Sequence, residues 1–222
     1  MADRLRPTAP IAADAILVGD PGRALLLAQE LLDSPKMSNH ARGLWGYGGK
    51  TASGDALTIQ STGIGGPSAS LVLGELAELG VKRAIRVGTC VGLDGELEPG
   101  DLLLVDRAQA GGGSATAHGV AVGDYAYPAA GLNRRLATEL GKGARVETVA
   151  SYDVPPPTGA SAGGGAGGAD MQTAPLLARA QELGVEVAAL LIVAETAGGR
   201  QLGPEELAEA EKRAGRIAQA AL

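Results

Sequence analysis

Three places in the 222-residue chain hold residue types that could handle an anion or a proton. The first is ILVGDPGR, residues 16–23. An apolar strand end (Ile16, Leu17, Val18) runs into Gly19, where the backbone can turn. Asp20 suits a helix N-cap, Pro21 suits the first helical position, and Arg23 is thrown forward from the first turn. Free N–H groups, a helix dipole and a guanidinium fork together favour a phosphate. The second is Arg86, inside the apolar strand AIRVG, 84–88. A guanidinium in such a place needs a partner, because burying an unpaired charge is costly. The third is Glu195, at the end of the apolar run 187–195. A carboxyl there suits a general acid.

These residues must be positioned by elements, and the hydrophobic pattern supplies them. Strands are expected over 14–18, 57–61, 84–88, 102–106, 145–151 and 187–195, the last buried on both faces. Helices are expected over 21–33, from Pro67 to Leu79, over 129–140, over 171–184 and from Pro204 onward. Pro175 should bend the fourth of these or mark its true first turn. Residues 1–13 read as an arm, 34–56 as a loop or hairpin, 89–101 as loop and 108–119 as flexible. Strands alternating with helices imply an α/β fold with a largely parallel sheet. The tract 155–169 is low in complexity and reads as a flexible insert within a single domain covering 1–222.

Composition narrows the functional classes. A chain this long should bury about 70% of its unfolded surface, enough for a full core. The formal charge is −6, from 19 basic and 25 acidic residues, which argues against nucleic acid as a main partner. Any anion must therefore be held by a local set of arginines. Cys90 is the single cysteine, so no intrachain disulfide can form and a reducing cytoplasm is expected. The opening MADRLRPTAP has no apolar signal region, and the longest apolar run, 187–194, is far short of the roughly 20 residues that span a bilayer. No membrane association is expected.

GDPGR (19–23), STGIGGPSAS (61–70) and IRVGTC (85–90) occur in the order and spacing of the nucleoside phosphorylase-I family, which the chain resembles over nearly its whole length. NHARGLWGYGG (39–49) resembles the family segment that carries an arginine into a neighbouring subunit's site. GADMQTA (168–174) resembles the family's Met-Glu ribose motif, and IVAET (192–196) the segment that contacts the base. The resemblance implies a phosphorylase-type α/β fold, with a central, mostly parallel mixed sheet, partly barrel-like, flanked by helices. It also implies phosphorolysis of a nucleoside, in which inorganic phosphate attacks C1′ and the base leaves. Phosphate is then a substrate, and no metal or organic cofactor is expected.

Carried onto this sequence, the resemblance assigns Gly19, Arg23, Arg86 and Thr89 to the phosphate, with Arg42 arriving from a partner subunit. Met171 should pack under the ribose. Gln172 stands where the family has a carboxylate for the 2′-hydroxyl; an amide accepts a hydrogen bond but brings no charge. Glu195 should protonate or hydrogen-bond a purine base, with Thr196, Cys90 and Tyr152 beside it, Tyr152 as a stacking face. Arg86 and Glu195 are thus the candidate catalytic residues. Self-association as dimers, and as a hexamer built from three dimers, is implied.

The chain also departs from the family. Its N-terminal arm has no histidine, so Arg4 or Arg6 would have to substitute at the 5′-hydroxyl. Val91 replaces an expected glycine, and the Gln-x-Arg pair that reads uracil is missing. A purine-directed phosphorylase is the leading expectation. The alternatives are a uridine phosphorylase, a hydrolytic nucleosidase of the same fold, and a nucleoside-binding protein that has lost catalysis.

Overall fold

The computed structural model describes residues 4–141, 144–156 and 165–222. In chain order the elements are β1 (Asp14–Val18), α1 (Pro21–Leu31), β2 (Asp33–Asn39), a 3-10 turn (Ala41–Gly43), β3 (Gly46–Lys50), β4 (Ala56–Ser61) and α2 (Gly65–Glu78). Then come β5 (Arg83–Gly92), β6 (Leu102–Ala110), α3 (Gly113–Thr116), β7 (Tyr125–Ala126), α4 (Ala130–Leu140) and β8 (Arg145–Ser151). The chain finishes with β9 (Gly168–Asp170), α5 (Thr173–Leu183), β10 (Glu186–Thr196) and α6 (Pro204–Ala221).

The strands form one mixed sheet in the order β10-β6-β8-β9-β5-β1-β4-β3-β2. An added β10–β5 pairing closes β5, β10, β6, β8 and β9 into a ring, the barrel-like part of the expected fold. The ladders β1–β4, β1–β5, β5–β10, β6–β8 and β8–β9 are parallel. Outside the ring, β2 is the last strand, and its pairing with β3 breaks register between Asp33 and Lys36.

The sheet is apolar on both faces. In β1, Ala15 and Leu17 pack with Leu73 and Leu76 of α2 and with Leu176 and Leu177 of α5. Ile16 and Val18 pack with Leu27 of α1, Ala214 of α6 and Leu132 of α4 on the other side. In β10, Ala189, Leu191 and Val193 alternate with Ala188, Leu190 and Ile192 between the same two layers. Helices on both faces are what turn the alternating strands into a doubly covered sheet.

Several expected boundaries move. The stretch expected as loop after residue 88 continues β5 to Gly92, because Ile192, Val193, Glu195 and Thr196 of β10 pair with Thr89, Cys90, Val91 and Gly92. Residues 108–110, expected to be flexible, extend β6, since β8 offers a ladder to Ala110. Pro175 lies in the first turn of α5, where its missing N–H is harmless. The flexible insert expected over 155–169 falls largely on 157–164, which lie outside the described residues, while Gly168–Asp170 form β9. Among the described residues, no helix is long and apolar enough to cross a membrane.

Candidate functional site

A cavity of about 470 Å³ opens beyond the C-terminal ends of β1, β4, β5 and β10. In a parallel sheet this is where turns and helix starts collect, and where ligands bind. Gly19, Asp20, Pro21 and Arg23 line it from the β1–α1 turn, and Gly63, Ile64 and Gly65 from the β4–α2 turn. Arg86, Thr89, Cys90 and Val91 come from β5. Asp170, Met171 and Gln172 come from the end of β9 and the residues after it, and Ala194 and Glu195 from β10.

Arg86 is 5% exposed and fully engaged on its protein side. Its guanidinium donates to Asp170 Oδ2 (2.9 Å), Gln172 Oε1 (2.7 Å) and Thr173 Oγ1 (3.1 Å). Asp170 is saturated in turn, accepting from the Ser151 hydroxyl and from Thr173 through both its N–H and its hydroxyl. The partner that the sequence demanded for a strand-borne guanidinium is therefore the β9–α5 junction. Gly88 gives Arg86 its space: a β-carbon at position 88 would fall 2.5 Å from Arg86 Cζ.

Arg23 is held differently. Asp20 caps α1 by accepting from the Arg23 N–H at 2.8 Å, as its position suggested. The Arg23 side chain, 9% exposed, donates from Nε to Glu211 Oε1 of α6 at 2.6 Å. Nothing in the sequence singled out Glu211, which lies 188 positions away.

Gln172 is 4% exposed, and its amide is consumed within the protein. Its Oε1 accepts from Arg86 and, at 3.4 Å, from the Thr62 hydroxyl, while Nε2 donates to the carbonyls of Gly63 (2.5 Å) and Gly65 (3.4 Å). It thereby ties Arg86 to the β4–α2 turn. Among the described residues no side chain caps α2, and the start of that helix opens on the cavity beside Gly63 and Gly65.

Glu195 reaches the cavity through a bulge. Val193 pairs with Cys90 and Glu195 with Val91, so Ala194 is the extra residue and both it and Glu195 face the pocket. Burial pushes the Cys90 thiol well up, the Asp170 charge adding to it and Arg86 opposing it. Cys90 Sγ sits 3.6 Å from the Ile192 carbonyl.

Gly19, Arg23, Arg86, Thr89, Cys90, Met171, Gln172 and Glu195 thus converge on one cavity. Arg42, Tyr152 and Thr196 do not line it. Arg42 is exposed in the 3-10 turn, in a left-handed conformation with φ of 58°. Tyr152 lies against Gly111, and its N–H donates to the Asp170 carbonyl. Thr196 is buried just past the bulge, its hydroxyl without a hydrogen-bond partner among the described residues. In the arm, the Arg4 guanidinium pairs with Glu75, whose carboxylate also accepts from the Arg4 and Leu5 N–H groups. The residues that sequence reasoning missed are Gly88, Asp170, Thr173 and Glu211. Gly88 carried a signal, since an Arg-x-Gly pair in a strand places the glycine beside the guanidinium on one face.

A family model described as the phosphorylase superfamily matches residues 14–222. A DeoD-type purine nucleoside phosphorylase from Oceanobacillus iheyensis is 40% identical over 99 residues, covering 44% of this chain and 42% of that protein. A DeoD-type purine nucleoside phosphorylase from Clostridium perfringens is 42% identical over 95 residues, 42% of this chain and 40% of that one. The chain thus matches about two fifths of the length of these relatives. Among solved structures, a uridine phosphorylase from Vibrio fischeri ES114 superposes with a TM-score of 0.82 at 22% identity, covering 95% of this chain and 91% of that one. A purine nucleoside phosphorylase from Toxoplasma gondii, in complex with immucillin-H, gives 0.82 at 23% identity, with 95% and 90% covered. These two likenesses are of fold.

Proposed function

Because the chain belongs to the phosphorylase superfamily, we propose that it is a phosphate-dependent nucleoside phosphorylase directed at purine ribonucleosides. Inorganic phosphate attacks C1′ as the C1′–N bond to the base breaks, giving ribose-1-phosphate and free base. The observation that carries this reading is the pair of buried guanidiniums, Arg23 and Arg86, held at one cavity by separate elements. Buried, pre-aligned donors lose little by reorganising during the reaction, and such positioning supplies most of what phosphorolysis needs.

In this reading the uncapped start of α2, the Gly19 N–H and Thr89 complete the anion's contacts on the same chain. Charge balance calls for one more cation. Glu211 and Asp170 already neutralise Arg23 and Arg86, and Glu195 and Asp20 add further acid at the cavity. A phosphate dianion is then best accommodated with Arg42 from a second copy, which makes the dimer the functional unit and a hexamer of three dimers its extension. Met171 packs under the sugar, and Glu195, aimed inward by its bulge, hydrogen-bonds the departing base. The same reading places the protein in the cytoplasm and invokes no cofactor.

A second reading, a nucleoside-binding protein without turnover, is favoured by Gln172, whose amide is wholly engaged with Arg86 and the β4–α2 turn. Both are tested by measuring base release from inosine, adenosine, guanosine and uridine with and without phosphate. Phosphate-dependent release of purines is the expected result. Cleavage that ignores phosphate would overturn the proposal, and tight nucleoside binding without any release would establish the second reading.

A further inference from the structure

The two cavity arginines have counterions of different kinds. Asp170 is locked among Arg86, Ser151 and Thr173, so its charge is committed to the fold of the β9–α5 junction. Glu211 accepts one hydrogen bond from the described residues, from Arg23 Nε, and both side chains of the pair are nearly buried. Helix packing sets where that carboxylate stands. Arg23 and Leu27 lie one turn apart on α1, as Glu211 and Gly215 do on α6. Gly215 lets the helices close, since a β-carbon there would come 2.6 Å from Leu27 Cδ2. The close contact at 215 holds Glu211 opposite Arg23.

We infer that Glu211 is the counter-charge against which inorganic phosphate competes for Arg23, and that α6 thereby sets the affinity for phosphate from outside the cavity. The inference rests on the phosphorylase reading above. Its physical content is a balance. With Glu211 ionised, the empty site carries no unpaired guanidinium, which stabilises the unliganded fold. The same carboxylate holds Arg23 Nε and offsets its charge, so an incoming dianion must share the guanidinium with it. Glu211 therefore keeps the empty site stable and the phosphate exchangeable, as a reversible phosphorolysis requires.

Glu211→Gln preserves size and an acceptor oxygen for Arg23 Nε while removing the charge. With phosphate varied at saturating inosine, the variant shows a phosphate KM lower by about tenfold, while its inosine KM stays within about twofold of the wild type. Without phosphate it melts below the wild type, and added phosphate raises its Tm by more than it raises the wild type's. In an Arg23→Ala background the same substitution leaves the phosphate KM unchanged. A phosphate KM that is equal or higher in Glu211→Gln overturns the inference, as does an equal shift in the Arg23→Ala background. Should Glu211→Gln not fold, Glu211→Asp, which keeps the charge but withdraws it by one methylene, is expected to lower the phosphate KM by a smaller factor, and no change overturns the inference. Calorimetric titration with inorganic phosphate separates the two levels of the argument. A wild-type protein that binds no phosphate removes the phosphorylase reading and this inference with it, whereas equal binding by wild type and variant removes the inference alone.

Discussion

Arg86 Nη2 lies 2.9 Å from Asp170 Oδ2, and the two side chains are 6% and 1% exposed. A pair this dry adds little as a whole, because desolvation offsets the attraction, but breaking it strands a charge. Asp170→Ala is therefore expected to lose about 3–5 kcal/mol of stability in urea unfolding. Arg86→Met with Asp170→Leu should recover part of that loss while abolishing the phosphorolysis proposed above. A single Asp170→Ala as stable as wild type would show that solvent reaches this pair.

Gly88→Ala tests whether the guanidinium must stay where it is. The new methyl would meet Arg86 Cζ and both terminal nitrogens at 2.5–2.8 Å, and Arg86 can yield only by leaving its three acceptors. A displacement on that scale at a positioning group costs on the order of 100-fold in rate. The expected result is such a fall in kcat/KM for phosphate, with a stability loss of about 1–3 kcal/mol.

Gln172→Glu restores a carboxylate but removes the donors that serve the Gly63 and Gly65 carbonyls. Leaving a buried carbonyl without its donor costs about 1–3 kcal/mol, partly offset by a stronger bond to Arg86. Net destabilisation and a raised phosphate KM are expected, read by thermal melts and by phosphate titration of the rate. A gain in both stability and turnover would show that the amide is a defect in the site.

Much of this arrangement is legible in the sequence because it is local. Asp20, Pro21 and Arg23 act within one helix turn, and the placement of Arg86 in an apolar strand forces a partner whatever that partner is. The partner itself is not legible. Asp170 meets Arg86 from 84 positions away and Glu211 meets Arg23 from 188, joined only by sheet order and helix packing. The length of β5 is hidden for the same reason: TCVG carries a weak strand signal of its own and becomes strand because β10 and β9 flank it. The bulge at Ala194 is invisible to periodicity, yet it decides that Glu195 faces the cavity.

Glu147 of β8 gives a pH dependence. Burial pushes its carboxyl above the ordinary 4.5, Asp94 and Asp106 adding to this and Arg145 opposing it. With the folded value raised, its contribution to stability is full below the unfolded carboxyl's range and is lost as pH rises through the folded value. Glu147→Gln removes that loss. Its Tm advantage over wild type should grow from pH 4 upward and then level off, and a gap that narrows with rising pH would contradict the assignment.

The outer strand β2 has a consequence for how the molecule behaves in a crowd. An open strand edge is a template for pairing with another chain's backbone. Here that edge reads Asp33-Ser34-Pro35-Lys36, with Ser34 in a left-handed conformation at φ of 46° and the register broken across it. Pro35 has no N–H to offer, Lys36 sets a charge beside it, and the break twists the strand away from a straight neighbour. At the end of the sheet where the ring does not remove the edge, the sequence itself makes fibrous or sheet-extending aggregation unfavourable, leaving association to surfaces built from side chains.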